Sequence, residues 1–203
     1  MGTGMWSVIG VVSALYRRRE TGEGAVIDTS LFETAAGWMN LHVAHHAGSG
    51  ELPKRTGSGQ TGIVPYRAYA CADGDLVVAA GNDSLFRGFA TALDHPEWAG
   101  DPRFATNPQR VAHGPLLDAM IEPIMATRTR AAWILLLDEA GVPCAPVQNV
   151  REMLDHPQTQ ALGIAQRIAG MSAPLIGLPV SFDGERPVPR AAPPALDADS
   201  ALL

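Results

Sequence analysis

Few side chains in this sequence have both the type and the spacing for chemistry. Asp28, in Val26-Ile27-Asp28-Thr29-Ser30, stands where a short apolar run meets the start of a helix, the best place in the chain for a nucleophilic or basic carboxylate. A turn or helix-approach carboxylate is the simpler reading of it. His42, His45 and His46 form an H-x-x-H-H group, and two imidazoles one helical turn apart could share a divalent metal, with His113 or His156 as a third ligand. The group lacks the glutamate of H-E-x-x-H and has no cysteine pair nearby, so it reads as a polar helix end and no metal site is expected. Cys144, in Val142-Pro143-Cys144-Ala145-Pro146, reads as a structural thiol in an apolar run. No serine stands in G-x-S-x-G. Gly2-Thr3-Gly4 and Gly22-Glu23-Gly24 lack the spacing of a phosphate cradle. What remains is Gly57-Ser58-Gly59-Gln60, inside residues 54–62, which hold three glycines and no apolar side chain. Such a stretch is a loop whose backbone can move and can approach a ligand closely.

The elements that must position these residues are legible from periodicity. Trp6, Ile9, Val12, Leu15 and Tyr16 recur every three or four residues and predict a helix. Arg17, Arg18 and Arg19 suit its C-terminal end, and Gly22 its stop. Ala25-Val26-Ile27 predicts a short buried strand. Ser30 and Glu33 form an S-x-x-E capping box opening a helix over 31–46. Helix, strand and helix in close succession suggest part of an open α/β sheet. Beyond the glycine loop, strands over 66–71 and 76–80 flank a turn with Asp73-Gly74. Three helices follow, opened by Asn82-Asp83-Ser84, by Asn107-Pro108, and by Thr127 or Thr129, the last ending at Gly141. A strand over 173–180 would return the tail to the first sheet.

Composition narrows the function classes. The 203 residues are 46% hydrophobic and 18% charged, enough for a real core. The net charge of −6 argues against a nucleic-acid binder, which needs a basic stripe. The apolar run 5–16 is too short to span a bilayer, and no membrane partner is expected. Two cysteines make no disulfide framework, which suits a reducing, cytoplasmic setting.

The order of segments carries more than any one motif. The run GTGMxxxxGxxxALYRRRxTGEGAVIDTSLFE from Gly2, then PYRAYACADGDLVVAAGND, Arg110-Val111, AGVPCAPV, DHPQTQALG and Pro-Val-Ser-Phe-Asp-Gly resemble the successive blocks of family III CoA-transferases, the CaiB/BaiF group. The resemblance runs over essentially the whole chain. It implies an α/β fold in which an incomplete Rossmann-like large domain carries an inserted smaller α+β domain. Residues 1–45 and 156–203 would belong to the large domain, 46–61 to a linker with the glycine loop, and 62–155 to the small domain.

The resemblance also implies a chemistry. CoA moves between an acyl-CoA and a carboxylic acid through an aspartyl anhydride and an aspartyl-CoA thioester, with coenzyme A as carrier substrate, no metal, and an interlocked homodimer in the full-length protein. The family's glycine loop covers the site, and Gly57, Ser58, Gly59 and Gln60 match it. The nucleophilic aspartate stands four residues before the glycine of a Gly-Met pair. Here that pair is Gly4-Met5, so its position falls just before Met1, no catalytic residue is expected within the chain, and the chain alone is expected to be inactive. Asp28 matches a different aspartate, that of a V-D-V-S-L type block. Two alternatives stand beside this reading: an α-methylacyl-CoA racemase-like member, disfavoured because Gly59-Gln60-Thr61-Gly62-Ile63-Val64-Pro65-Tyr66 replaces a D-G-G-A-P-x-Y type block, and a non-catalytic half that needs an N-terminal partner chain.

Overall fold

A computed structural model describes residues 1–189 and 191–198. The chain divides into two compact units, Met1–Gly62 and Ile63–Leu203. The first unit is helical. Helix α1 spans Gly2–Thr21 and ends as its sequence demands: Gly22 takes φ 74° and donates its N–H to the Arg18 carbonyl at 2.9 Å. Helix α2, Leu31–Trp38, starts at Ser30, whose hydroxyl accepts the Glu33 N–H at 3.1 Å and donates to the Glu33 carboxylate at 2.6 Å. The helix expected over 31–46 is in fact two, because Met39 leaves helical geometry and α3 resumes over Asn40–Ser49. Helices α1 and α2 touch where side chains are smallest. A Cβ on Gly2 would lie 2.3 Å from the Trp38 ring.

One expectation fails in this unit. Residues 22–30 form no strand, and Val26 is 87% exposed. A strand needs a hydrogen-bonded neighbour, and among the described residues none pairs with this segment. The apolar stripe of α1 is real as a pattern but is not buried: Trp6, Ile9, Val12 and Leu15 are each about half exposed.

The second unit contains the core. Strands β1 (Tyr66–Cys71), β2 (Gly74–Ala79) and β3 (Cys144–Pro146) form an antiparallel sheet in that order, with Tyr69 opposite Leu76. The hairpin turn is Ala72-Asp73, one residue earlier than the Asp-Gly pair. Helix α4 (Asp83–Ala92) is capped by the Asn82 side chain, which accepts the Leu85 N–H at 2.8 Å. A 3-10 turn, Pro96–Gly100, follows. The helix opened by Asn107-Pro108 also proves to be two, α5 (Asn107–Ala112) and α6 (Gly114–Met125). Pro115 is the cause, since its ring and missing N–H cannot continue the preceding turn. Helix α7 (Arg130–Glu139) takes Thr129 as its cap. Tyr69, Leu76 and Val78 from the sheet meet Phe86, Phe89, Leu117, Ile121, Trp133 and Leu137 from the helices in one buried cluster. The Trp133 indole N–H finds the Met125 carbonyl at 2.8 Å, so no polar group is stranded there.

Arg110 is the exception among these apolar neighbours. It is fully buried and donates to the carbonyls of Val64 (2.7 Å), Phe104 (2.9 Å) and Gly81 (3.2 Å) and to the Asp83 carboxylate (2.9 Å). Its guanidinium lies over the Phe86 ring. One side chain thus ties the chain entering β1 to the chain leaving β2. Burial lowers its pKa, an effect Asp83 opposes.

The tail holds α8 (Val150–Asp155), α9 (Pro157–Leu162) and a two-stranded sheet of β4 (Ala165–Gln166) and β5 (Leu175–Ile176). The strand expected over 173–180 shrinks to two residues because Pro174 and Pro179 bracket it without donors. Among the described residues the first unit holds no strand. Residues 190 and 199–203 of the expected return segment lie outside the described residues.

Candidate functional site

The glycine segment is not an unconstrained loop. Gly59 donates its N–H to the Thr56 carbonyl at 2.9 Å, and the Thr56 hydroxyl donates to the Gly59 carbonyl at 2.7 Å. Gly57 has φ 60° while Ser58 keeps a negative φ, the sign pattern of a type II′ turn. Gly62 takes φ 80° at the other end. A side chain at Gly57 or Gly62 would be strained there, whereas space alone is open at both. The sequence suggested freedom; the structure adds a tight turn, doubly closed, at the tip.

Helix α3 lies beside this segment because the chain reverses at its end. Gly50 takes φ 74° and its N–H caps the His46 carbonyl at 2.8 Å, while His46 Nδ1 sits 3.1 Å from the Glu51 carbonyl oxygen. Residues 53–61 then run back along α3. They border a cavity of about 160 Å³ lined by His42, His45, Lys54, Thr56, Gln60 and Thr61, with Leu41 and Pro53 as its apolar side chains. His42 and His45 share the cavity because they are three residues apart on one helix face. His46 points to the reversal instead. Sequence reasoning treated the histidines as a helix end and Lys54 as the start of a loop. The signal that could have joined them was positional, a glycine after a short helix followed by a segment long enough to fold back.

Asp28 lines a different cavity of the same unit, about 260 Å³, with Trp6, Ser30, Glu33 and Thr34. Hydroxyls draw the neighbouring elements together there, Ser7 to Thr29 at 2.8 Å and Thr3 to Thr34 at 3.2 Å. Asp28 and the glycine segment therefore line separate cavities. Cys144 and Cys71 are half-buried in the second unit, and burial pushes both thiols above their ordinary pKa. That is the reverse of what a nucleophilic thiolate needs. Among the described residues no group of three or more His, Cys, Asp or Glu side chains could hold a metal ion, and no helix is long and apolar enough to cross a membrane.

Helices with small antiparallel sheets in this order place the chain among CaiB/BaiF structures. It matches the crystal structure of a CaiB/BaiF family protein from Brucella suis with a TM-score of 0.83 and 33% identity, over 100% of this chain and 53% of that one. The family model for CoA-transferase family III matches residues 1–200, and the chain belongs to that family. An acetyl-CoA:oxalate CoA-transferase of Acetobacter aceti is 33% identical over 98% of this chain and 51% of its own length. A succinate–glutarate CoA-transferase of Agrobacterium fabrum is 31% identical over 93% and 49%. The chain spans about half the length of the curated relatives it matches.

Proposed function

We propose that these residues serve a transferase that moves CoA from an acyl-CoA to a short carboxylic acid, dicarboxylic acids being the class for which the relatives are named. The observation that carries this reading is the family match over residues 1–200; the resemblance of Gly57-Ser58-Gly59-Gln60 to the family's glycine loop supplies its cover. An aspartate carboxylate attacks the thioester carbonyl, forming a mixed anhydride and releasing CoA thiolate. The thiolate attacks the aspartyl carbonyl, freeing the donor acid and leaving an aspartyl-CoA thioester. The acceptor carboxylate repeats the sequence in reverse order, and the thioester's energy is conserved throughout. The resemblance puts that aspartate directly before Met1, so the nucleophile comes from outside these 203 residues, and Asp28 is not it.

The anhydride is the step that water endangers, and the turn at Gly57-Ser58-Gly59-Gln60 is the cover. Glycines let its backbone come against an acyl group where a side chain would not fit. In the same reading residues 1–45 and 156–203 belong to a Rossmann-like large domain, 62–155 form the inserted small one, and two full-length subunits interlock.

The test is CoA transfer from acetyl-CoA or succinyl-CoA to oxalate or glutarate, followed chromatographically, by the 203-residue chain alone and by the chain joined to an N-terminal half ending in aspartate. The expected result is no transfer by the first and transfer by the second. Transfer by the chain alone that disappears in Asp28→Asn would move the nucleophile to Asp28. No transfer by any combination or acid would overturn the reading.

A further inference from the structure

We propose that the cavity between α3 and the glycine segment is an oxyanion subsite that holds the far carboxylate of a dicarboxylic substrate, an inference that rests on the transferase reading above. The lining is one-sided in its chemistry. Lys54 brings an ammonium, His42 and His45 bring imidazole N–H groups, and Gln60 brings an amide. Among the described residues no carboxylate lines the cavity. Lys54 is the only lysine in the sequence, so its place here is not one of many solvated lysines. An ammonium with three donors and no acceptor repels a metal ion and attracts an anion.

Carboxylates and the phosphates of CoA share this chemistry, and two features favour the carboxylate. At about 160 Å³ the cavity is smaller than the roughly 300–1,000 Å³ of pockets that enclose a drug-sized ligand, so it suits one end of a small molecule. Leu41 and Pro53 offer the apolar wall that a methylene chain needs. Gln60 belongs both to this cavity and to the glycine segment. A diacid held by Lys54 therefore also holds the segment, and the cover closes best over the substrate with two charged ends. Monoacids lose that contact, which turns one cavity into a source of specificity.

The binding test uses the 203-residue chain and follows the His42 and His45 ring C–H resonances by NMR at constant ionic strength, with sodium glutarate and CoA as separate probes. Glutarate is expected to shift both rings saturably. Lys54→Met should weaken that binding by about tenfold, the scale of a hydrogen bond to a charged group, and Lys54→Arg should keep most of it. Shifts that sodium chloride reproduces, or rings that do not move, overturn the subsite. Tighter binding of CoA that glutarate cannot displace assigns the cavity to phosphate and overturns the carboxylate.

A second arm measures transfer in the chain joined to its N-terminal half, with glutarate and valerate as acceptors. Lys54→Met should lower kcat/KM for glutarate by about tenfold, and so lower the ratio of glutarate to valerate transfer by a similar factor. Equal losses on both acids overturn the subsite and leave the transferase reading standing. Ring shifts with glutarate but no transfer by the unsubstituted protein support the subsite and overturn the transferase reading.

Discussion

Leu15 and Leu137 are the same side chain on two helices, one 54% exposed and the other fully buried. Nothing local separates them. Each belongs to a recurrent apolar pattern, and each pattern forms its helix. The difference lies in what crosses long distances of sequence. In the second unit the hairpin of β1 and β2 gains β3 from some seventy residues away, and Arg110 and Trp133 donate to main-chain carbonyls outside their own helices, Arg110 reaching back to Val64. In the first unit caps and turns at Gly22, Ser30, Gly50 and Thr56–Gly59 predominate, and the hydroxyl pairs Ser7–Thr29 and Thr3–Thr34, rather than strand pairing, reach between elements. Only Gly2 and Thr34 are buried there. Amphipathic pattern therefore specifies a helix, while long-range pairing specifies a core.

Substitutions can break this contrast, and the largest effect is expected where polarity and burial coincide. Arg110→Ala strips four acceptors of their donor, one of them the Asp83 carboxylate, and should cost about 3–5 kcal/mol in denaturant unfolding of the second unit. A loss under about 1 kcal/mol would mean the buried arginine holds nothing. Leu137→Ala should cost about 2–5 kcal/mol and Leu15→Ala less than about 0.5 kcal/mol. Equal costs would erase the distinction between the units.

Gly88→Ala sharpens the same point within a helix. A Cβ there would stand 2.8 Å from the Ala140 carbonyl oxygen, which is backbone and cannot turn aside. A helix ordinarily gains about 1 kcal/mol from this change; here a loss of about 1–3 kcal/mol is expected, measured by thermal unfolding.

A smaller effect concerns acid. Arg103, 2.6 Å from Asp101, holds the Asp101 carboxyl down to about 2. A carboxyl whose pKa is depressed by folding stabilises above its ordinary value near 4 and loses that contribution as the pH falls toward about 2. Asp101→Asn should therefore flatten the fall in stability between those pH values, read from acid titrations of unfolding. An unchanged slope would show that the exposed pair contributes nothing.

These contrasts also explain what could be read before the structure. Capping segments were legible at Ser30, at Asn82-Asp83-Ser84 and at Thr127 or Thr129, where the structure selects Asn82 and Thr129, because a cap is a local event between a side chain and an N–H three residues on. The breaks at Met39 and His113 were harder. Pro115 carried a local signal that the apolar spacing of Leu116, Leu117, Met120 and Ile121 outweighed. The failed strand at Ala25-Val26-Ile27 had the composition of a strand, but a strand is a property of its neighbours. At the candidate site the glycines of 57–62 were visible as residue types. The turn closed by Thr56 and the meeting of His42, His45 and Lys54 were not, since they depend on the reversal at Gly50.

Gly59→Pro in the chain joined to its N-terminal half tests most directly the claim that this turn guards a water-sensitive intermediate. Proline removes the N–H that Gly59 gives to Thr56 and fixes φ near −65°. The first unit packs little at this point, so the melting temperature should stay within about 2 °C, an effect on the order of 0.5 kcal/mol. Transfer of CoA should fall by about tenfold or more while hydrolysis of acyl-CoA to free CoA rises relative to it. Transfer and hydrolysis both unchanged would contradict the account and reduce residues 57–60 to a linker.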